Sequence, residues 1–152
     1  MKPSFSKKYG GLKCRVCLVK EGESQPVKIG GPEDIYKLVK DELAKADREM
    51  LLSIMLTIGN RLIGVETVSI GTLDSTSTSP REIFKSAILA NAFGIILCHN
   101  HPSGDLTPSM HDHKLTEKLS EVGDLLGIKV IDHIIVSHQG FVSLQETNNL
   151  VT

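Results

Sequence analysis

The chain has 152 residues, with 17 Lys and Arg against 18 Asp and Glu, 40% hydrophobic and 23% charged residues, and no Trp. That length allows one domain of ordinary size and excludes two full ones, and the composition suits a chain that buries a core, not a disordered one. A formal net charge of -1 excludes a sequence-independent nucleic-acid binder that relies on a cationic excess over its surface, while leaving room for a local basic patch.

Residues 1–12 are cationic and polar with no apolar segment behind them, so they read as a flexible tail and not as a secretory signal. The longest nearly apolar run, Ala87 to Cys98, stops well short of the roughly 20 residues that span a bilayer, so no membrane helix is expected. Three cysteines is an odd number, and Cys14 and Cys17 lie too near one another on a strand to bridge easily, which points to a reducing cytoplasm.

Lys13 to Lys20 has the pattern of a short strand, followed by a polar, Gly-rich connector from Glu21 to Gly31. Gly31-Pro32-Glu33-Asp34 starts a helix, since Pro at the first position sacrifices no needed N–H and acids favour the positive end of the dipole. Ile35, Leu38, Val39 and Leu43 then fall on one face. Met50 to Ile58 and Leu62 to Gly71 are β-rich runs separated by Gly59-Asn60-Arg61, the chemistry of an antiparallel hairpin.

Ser79-Pro80-Arg81-Glu82 has the capping-box pattern and predicts a second helix carrying Ile83, Phe84, Ala87 and Ile88. Phe93 to Cys98 is the continuous apolar run of a central strand covered on both faces. Thr107-Pro108 predicts the start of a third helix with Leu115, Leu119, Val122 and Leu126 as its stripe. Ile128 to Val136 and Phe141 to Leu144 read as closing strands. This order implies a mixed α/β sandwich, one sheet with helices against it.

The chemistry concentrates in His99-Asn100-His101-Pro102-Ser103-Gly104-Asp105, followed by Ser109 and Asp112. Histidines at i and i+2 of a strand project from the same side and can converge on one ion. Pro102 stops the strand and Gly104 permits a sharp turn into the next helix, which predicts histidines at an edge reachable by solvent. Ser109 and Asp112 are three apart on that helix, so the carboxylate can complete a two-nitrogen, one-oxygen set that matches a catalytic zinc with an open fourth position.

A zinc held there lowers the pKa of a water to about 7, and a nearby carboxylate is needed to move its proton. Glu49, Glu66 and Glu82 are the candidates, of which Glu82 already serves as a helix cap. His111 and His113 flank Asp112 but point off its face and read as solvated surface residues; His133 reads as a structural residue or one that braces the site. Cys14 and Cys17 lack a second pair and read as packed strand residues, and Cys98 should face the core side opposite His99.

With these residues in place, the sequence resembles the RadC-like branch of the JAMM/MPN metalloprotease superfamily from about Gly30 to Glu146. The likeness is carried by Pro80-Arg81-Glu82-Ile83, His99-Asn100-His101-Pro102-Ser103-Gly104, Pro108-Ser109, Asp112 and Asp132-His133-Ile134-Ile135-Val136. The superfamily pattern is H-x-H, seven residues, S, two residues, D, and His99, His101, Ser109 and Asp112 meet it at every position.

The resemblance implies an α/β fold with a mixed β-sheet flanked by helices, the JAMM/MPN (cytidine-deaminase-like) architecture, over residues 31–152, behind the tail 1–12 and a short strand and linker at 13–30. It implies Zn2+ bound by His99, His101 and Asp112, water bridging to Glu49 as general base in preference to Glu66, and Ser109 stabilising the tetrahedral oxyanion. Such sites cut peptide or isopeptide bonds, so the expected partner is a peptide or protein substrate.

Zinc deaminases share a similar layered architecture but need H-x-E followed by P-C-x-x-C, whereas His101 stands where that Glu would be; an amidohydrolase barrel needs about 250 residues. A second reading is a metal-binding accessory module associated with DNA repair or nucleic acid, without turnover. It draws on the family's repair label and the cationic Lys2, Lys7, Lys8, Lys13 and Arg15. Many RadC-like chains carry an N-terminal helical DNA-binding-type module, where this sequence has the short Met1 to Gly30 segment. The particular amide substrate, and a homodimer through an edge strand, are left open by the sequence.

Overall fold

The almost wholly apolar, buried run Met50–Leu56 (β1) and the half-exposed run Leu62–Ile70 (β2) form a hairpin, antiparallel as expected, turned at Asn60 in the left-handed region with φ 57. The computed structural model describes residues 17–19, 27–71 and 79–148. The cationic tail, Cys14 and most of the strand expected at Lys13 to Lys20 lie outside them. Cys17, Leu18 and Val19 are described; they are exposed and have no regular structure, so Cys17 is not a packed strand residue. Among the described residues no neighbouring strand takes their backbone hydrogen bonds.

The end of the expected connector is built into the fold. Val27 and Ile29 exchange backbone hydrogen bonds with the hairpin turn, Leu62 N–H donating to the Val27 carbonyl and Ile29 N–H to that of Asn60, both at 2.8 Å, and Ile29 is buried. Helix α1 (Pro32–Leu43) then begins with Pro32 and the acids Glu33 and Asp34 in its first turn. It buries Ile35, Val39 and Leu43, while Leu38 lies on the margin of that stripe and is exposed.

Helix α2 (Pro80–Leu89) follows Ser79, whose side chain makes no capping hydrogen bond, so the expected capping box does not form. Glu82 instead meets Lys85 at 2.7 Å, a cation one turn along offering a better exposed partner than the helix end. Ile83, Phe84 and Ala87 are buried and Ile88 is exposed. Strand β3 (Gly94–Asn100) is buried along its whole length.

Helix α3 (Met110–Leu126) starts after Ser109, later than Thr107-Pro108 suggested. The true capping box is here: Asp112 N–H donates to Ser109 Oγ at 3.1 Å, and Ser109 N–H donates to Asp112 Oδ2 at 2.7 Å. Leu115 and Leu119 are buried, whereas Leu126, near the end of the helix, is exposed. Strands β4 (Lys129–Ser137) and β5 (Gly140–Ser143) and the short helix α4 (Leu144–Asn148) close the chain.

The five strands lie in the order β2-β1-β3-β4-β5. Only β3 and β4 run parallel, and α3 is the crossover that parallel pairing demands. Period-2 alternation divides the core. Leu52, Ile54, Leu56, Ile96, Cys98, Ile134 and Val136 face α1; Leu51, Met55, Ile95 and Leu97 face α2 and α3. Cys98 therefore lies in the α1 core, where burial pushes its thiol pKa far up, and its neighbour His99 points to the α3 side. No described helix is long and apolar enough to cross a membrane.

Candidate metal centre

The centre forms where β3 ends beneath the first turn of α3. His99 and His101 project from one side of the strand and its exit, as the i, i+2 spacing requires, and their Nε2 atoms lie 3.0 Å apart. Asp112, third residue of the helix, brings Oδ1 to 3.3 Å from His99 Nε2 and Oδ2 to 3.8 Å from His101 Nε2. The three form a group whose ligand atoms lie within 4.8 Å of one another.

The expected solvent-reachable edge is corrected in part. His99 is fully buried, because β3 is the central strand and α3 and β4 cover its end; only His101 keeps some exposure, 15% of its side chain. Burial, which penalises the charged form, pushes the His99 pKa down to about 4. For Asp112, burial acts to raise the pKa, but the electrostatic interaction with His99 and the hydrogen bonds from Ser109 offset it and hold the carboxyl below its ordinary value.

The hydrogen-bond pattern leaves the inward atoms as acceptors. A carbonyl can only accept, so His101 Nδ1, 2.6 Å from the Asp105 carbonyl oxygen, carries its hydrogen there and its Nε2 presents a lone pair. Asp112 Oδ2 accepts from both Ser109 N–H and Ser109 Oγ–H at 2.7 Å, which leaves Oδ1 turned to the histidines. Electron-rich atoms this close repel unless positive charge lies among them, and a divalent cation bonding N and O donors at about 2 Å fits between them. Two imidazoles and one carboxylate are the donor set of such an ion.

The other candidates fall around this group. Glu49 directly precedes β1 at the same end of the sheet, its carbonyl accepting Gly71 N–H at 2.8 Å. Asn100 holds the peptides on either side of it: Met50 N–H donates to Asn100 Oδ1 at 2.7 Å, and Asn100 Nδ2 donates to the Arg48 carbonyl at 3.0 Å. Glu66 pairs across the hairpin with Ser53, which in turn pairs with Leu97, two residues deeper in the sheet than His99; its Oε2 is buried without a hydrogen-bond partner. Glu82 is engaged with Lys85 on the surface.

Ser109 closes the helix cap with both the hydrogen and a lone pair of its hydroxyl. His111 is exposed, as expected. His113 departs from the surface reading: it is half-buried and lines an open depression with Asp105, Leu106, Thr107, Pro108, Val142 and Thr147. His133 is fully buried and touches the centre, with Nε2 2.8 Å from His99 Nδ1 and Nδ1 2.6 Å from Thr116 Oγ1. Sequence reasoning missed Asn100 and Thr116. The only available hints were the place of Asn100 between two candidate ligands and the i+4 spacing of Thr116 from Asp112.

A five-stranded mixed sheet flanked by helices, with a His-His-Asp group where the central strand meets the crossover helix, is the arrangement of a JAB/MPN domain bearing a candidate metal site. The model of the RadC-like JAB domain matches residues 29–150, and the chain belongs to that family. Its relatives include a UPF0758 protein of Desulforudis audaxviator, 48% identical over 124 residues, covering 82% of this chain and 54% of that one. Another, from Caldanaerobacter subterraneus subsp. tengcongensis, is 43% identical over 132 residues, covering 87% and 56%. A third, from Clostridium perfringens, is 44% identical over 131 residues, covering 86% and 58%. The chain thus spans little more than half the length of these curated relatives.

Proposed function

We propose that this protein is a zinc-dependent hydrolase of the JAMM type, acting on peptide or isopeptide bonds. The observation that carries this reading is the convergence of His99 Nε2, His101 Nε2 and Asp112 Oδ1 beside the clamped backbone of Glu49. Three ligands of the N/N/O kind suit a catalytic zinc, whereas closed structural sites use four protein ligands.

When bound, zinc supplies Lewis acidity that acidifies a water and polarises an amide carbonyl. In this reading Glu49 takes the water's proton and passes it to the departing amine nitrogen, the work of a general base that then acts as acid. Ser109 donates to the developing oxyanion once its hydrogen turns away from Asp112 Oδ2. His99, locked in the core, sets the floor of the site, and the partly exposed His101 marks the side from which substrate approaches.

The test is a screen of the zinc-loaded chain against a library of peptides and isopeptide conjugates, with Glu49→Gln as control. The expected result is about one zinc per chain in both proteins and cleavage by the native chain alone. Stoichiometric zinc without cleavage of any amide would overturn the hydrolase assignment, and equal cleavage by Glu49→Gln would move the base to Glu66.

A further inference from the structure

The candidate ligands His99 and Asp112 are joined a second time, behind the site. The Asp112 backbone carbonyl lies 2.6 Å from Thr116 Oγ1, Thr116 Oγ1 lies 2.6 Å from His133 Nδ1, and His133 Nε2 lies 2.8 Å from His99 Nδ1. Thr116, His133 and His99 are all at most 1% exposed, so water does not compete for these hydrogen bonds.

Each hydrogen in this chain is placed by its neighbour. The carbonyl has no hydrogen, so Thr116 O–H must donate to it. The hydroxyl's single hydrogen is then committed, and Thr116 Oγ1 can only accept from His133, which places the His133 hydrogen on Nδ1. A second hydrogen on that ring would put a charge in the core, so His133 Nε2 carries a lone pair and accepts from His99 Nδ1–H. His99 is left with its own lone pair on Nε2, the atom aimed at His101 and Asp112.

We propose that Thr116 and His133 are positioning residues for the metal centre: through this relay they hold His99 in the one tautomer and ring orientation that presents Nε2 to a cation. The proposal builds on the metal site of the reading above but not on its hydrolytic activity. The relay starts from the backbone of Asp112, so the helix turn that delivers the carboxylate also sets the histidine. Removing the Thr116 hydroxyl frees the His133 hydrogen to move to Nε2. His133 then donates to His99 Nδ1, and the His99 hydrogen is driven to Nε2, where it occupies the lone pair a metal needs.

The experiment reads tautomers by 15N NMR of ring-labelled histidines in the metal-free protein, and Zn2+ affinity by competition with a chromophoric chelator. In the native chain both His133 and His99 should carry their hydrogens on Nδ1. Thr116→Val should move them to Nε2 on both rings and weaken Zn2+ binding about 10- to 100-fold, the usual effect of losing a partner that orients a ligand. Thr116→Ser should restore both. A native His99 with its hydrogen on Nε2 overturns the proposal, and this spectrum decides the matter even if Thr116→Val fails to fold. Unchanged tautomers and Zn2+ affinity in a folded Thr116→Val protein overturn it equally. Absence of amide cleavage by zinc-loaded protein bears on the hydrolase reading alone.

Discussion

Asn100 holds Glu49 from behind: one amide side chain accepts the N–H of the residue after Glu49 and donates to the carbonyl of the residue before it, at 2.7 and 3.0 Å. Because Asn100 lies between His99 and His101 on β3, one tripeptide sets both the imidazoles and the place of the carboxylate.

Asn100→Ala should therefore separate metal binding from turnover. Losing two partly buried hydrogen bonds should cost about 2 kcal/mol of stability, and freeing the Glu49 backbone should lower kcat while zinc content stays near that of the native chain. Asn100→Asp keeps the acceptor for Met50 N–H but sets an oxygen against the Arg48 carbonyl, so it should behave similarly. Denaturant titration, metal analysis and turnover of a cleaved peptide check this; a native kcat in a folded Asn100→Ala protein would refute the positioning role.

Ser109 has two duties that one substitution can tell apart. Ser109→Ala removes the acceptor for Asp112 N–H and a donor to Asp112 Oδ2, so it should destabilise the fold by about 1 kcal/mol, as lost N-caps do. The less constrained carboxylate should also bind Zn2+ more weakly. If Ser109 also serves the oxyanion, kcat at saturating zinc should fall by a factor of about 100 or more; a kcat within a few-fold of native would leave it as a cap alone.

Metal-free protein should lose stability on mild acidification. The pKa of His99 is lowered to about 4 by burial, and that of His133 is lowered well below its ordinary value, also chiefly by burial. The unfolded chain takes up these protons near pH 6.5 and the folded chain does not, so stability present above pH 6.5 is lost as the pH falls toward 4. For His99 alone the loss is on the order of 3 kcal/mol. Asp132, raised by burial, works in the opposite sense as it protonates, whereas Asp112, lowered, adds to the loss below pH 3.8. Denaturant midpoints measured in chelator should fall steadily from pH 7 to pH 4.5, and a flat profile would contradict the buried neutral histidines.

Gly104 turns the chain out of the centre with φ +86, and a Cβ there would come within 2.6 Å of His138 Cε1. Gly104→Ala should cost about 1–2 kcal/mol for the left-handed backbone and loosen the turn in which Gly104 N–H donates to the His101 carbonyl at 3.0 Å. His138 is exposed and its ring can swing away. The double variant with His138→Ala should therefore recover only the steric part of the loss in thermal melts, and full recovery would show that the backbone carries no strain.

Features set by a few neighbouring residues were legible from the amino-acid order. Two-residue alternation put His99 and His101 on one side and Cys98 on the other, Pro32 opened a helix, and the run after Phe93 formed a fully buried strand. The spacing from His101 to Ser109 and Asp112 likewise singled out residues that the fold brings together. Capping was misjudged: Ser79 and Glu82 have the pattern, but Glu82 pairs with Lys85, while Ser109 and Asp112, read from the sequence only as site residues, close the box.

Only the tertiary structure decided how deep the centre lies and what holds it. The burial of His99 depends on β4 and the first turn of α3 closing over the end of the central strand, which no local period encodes. The Asn100 clamp depends on antiparallel pairing with a strand 50 residues away in sequence, and the Thr116–His133 contact on α3 crossing back over its parallel neighbour. Hydrogen bonds across such separations follow from the order in which strands pair, so the amino acids supplied the donors and acceptors and the packing of the sheet chose their partners.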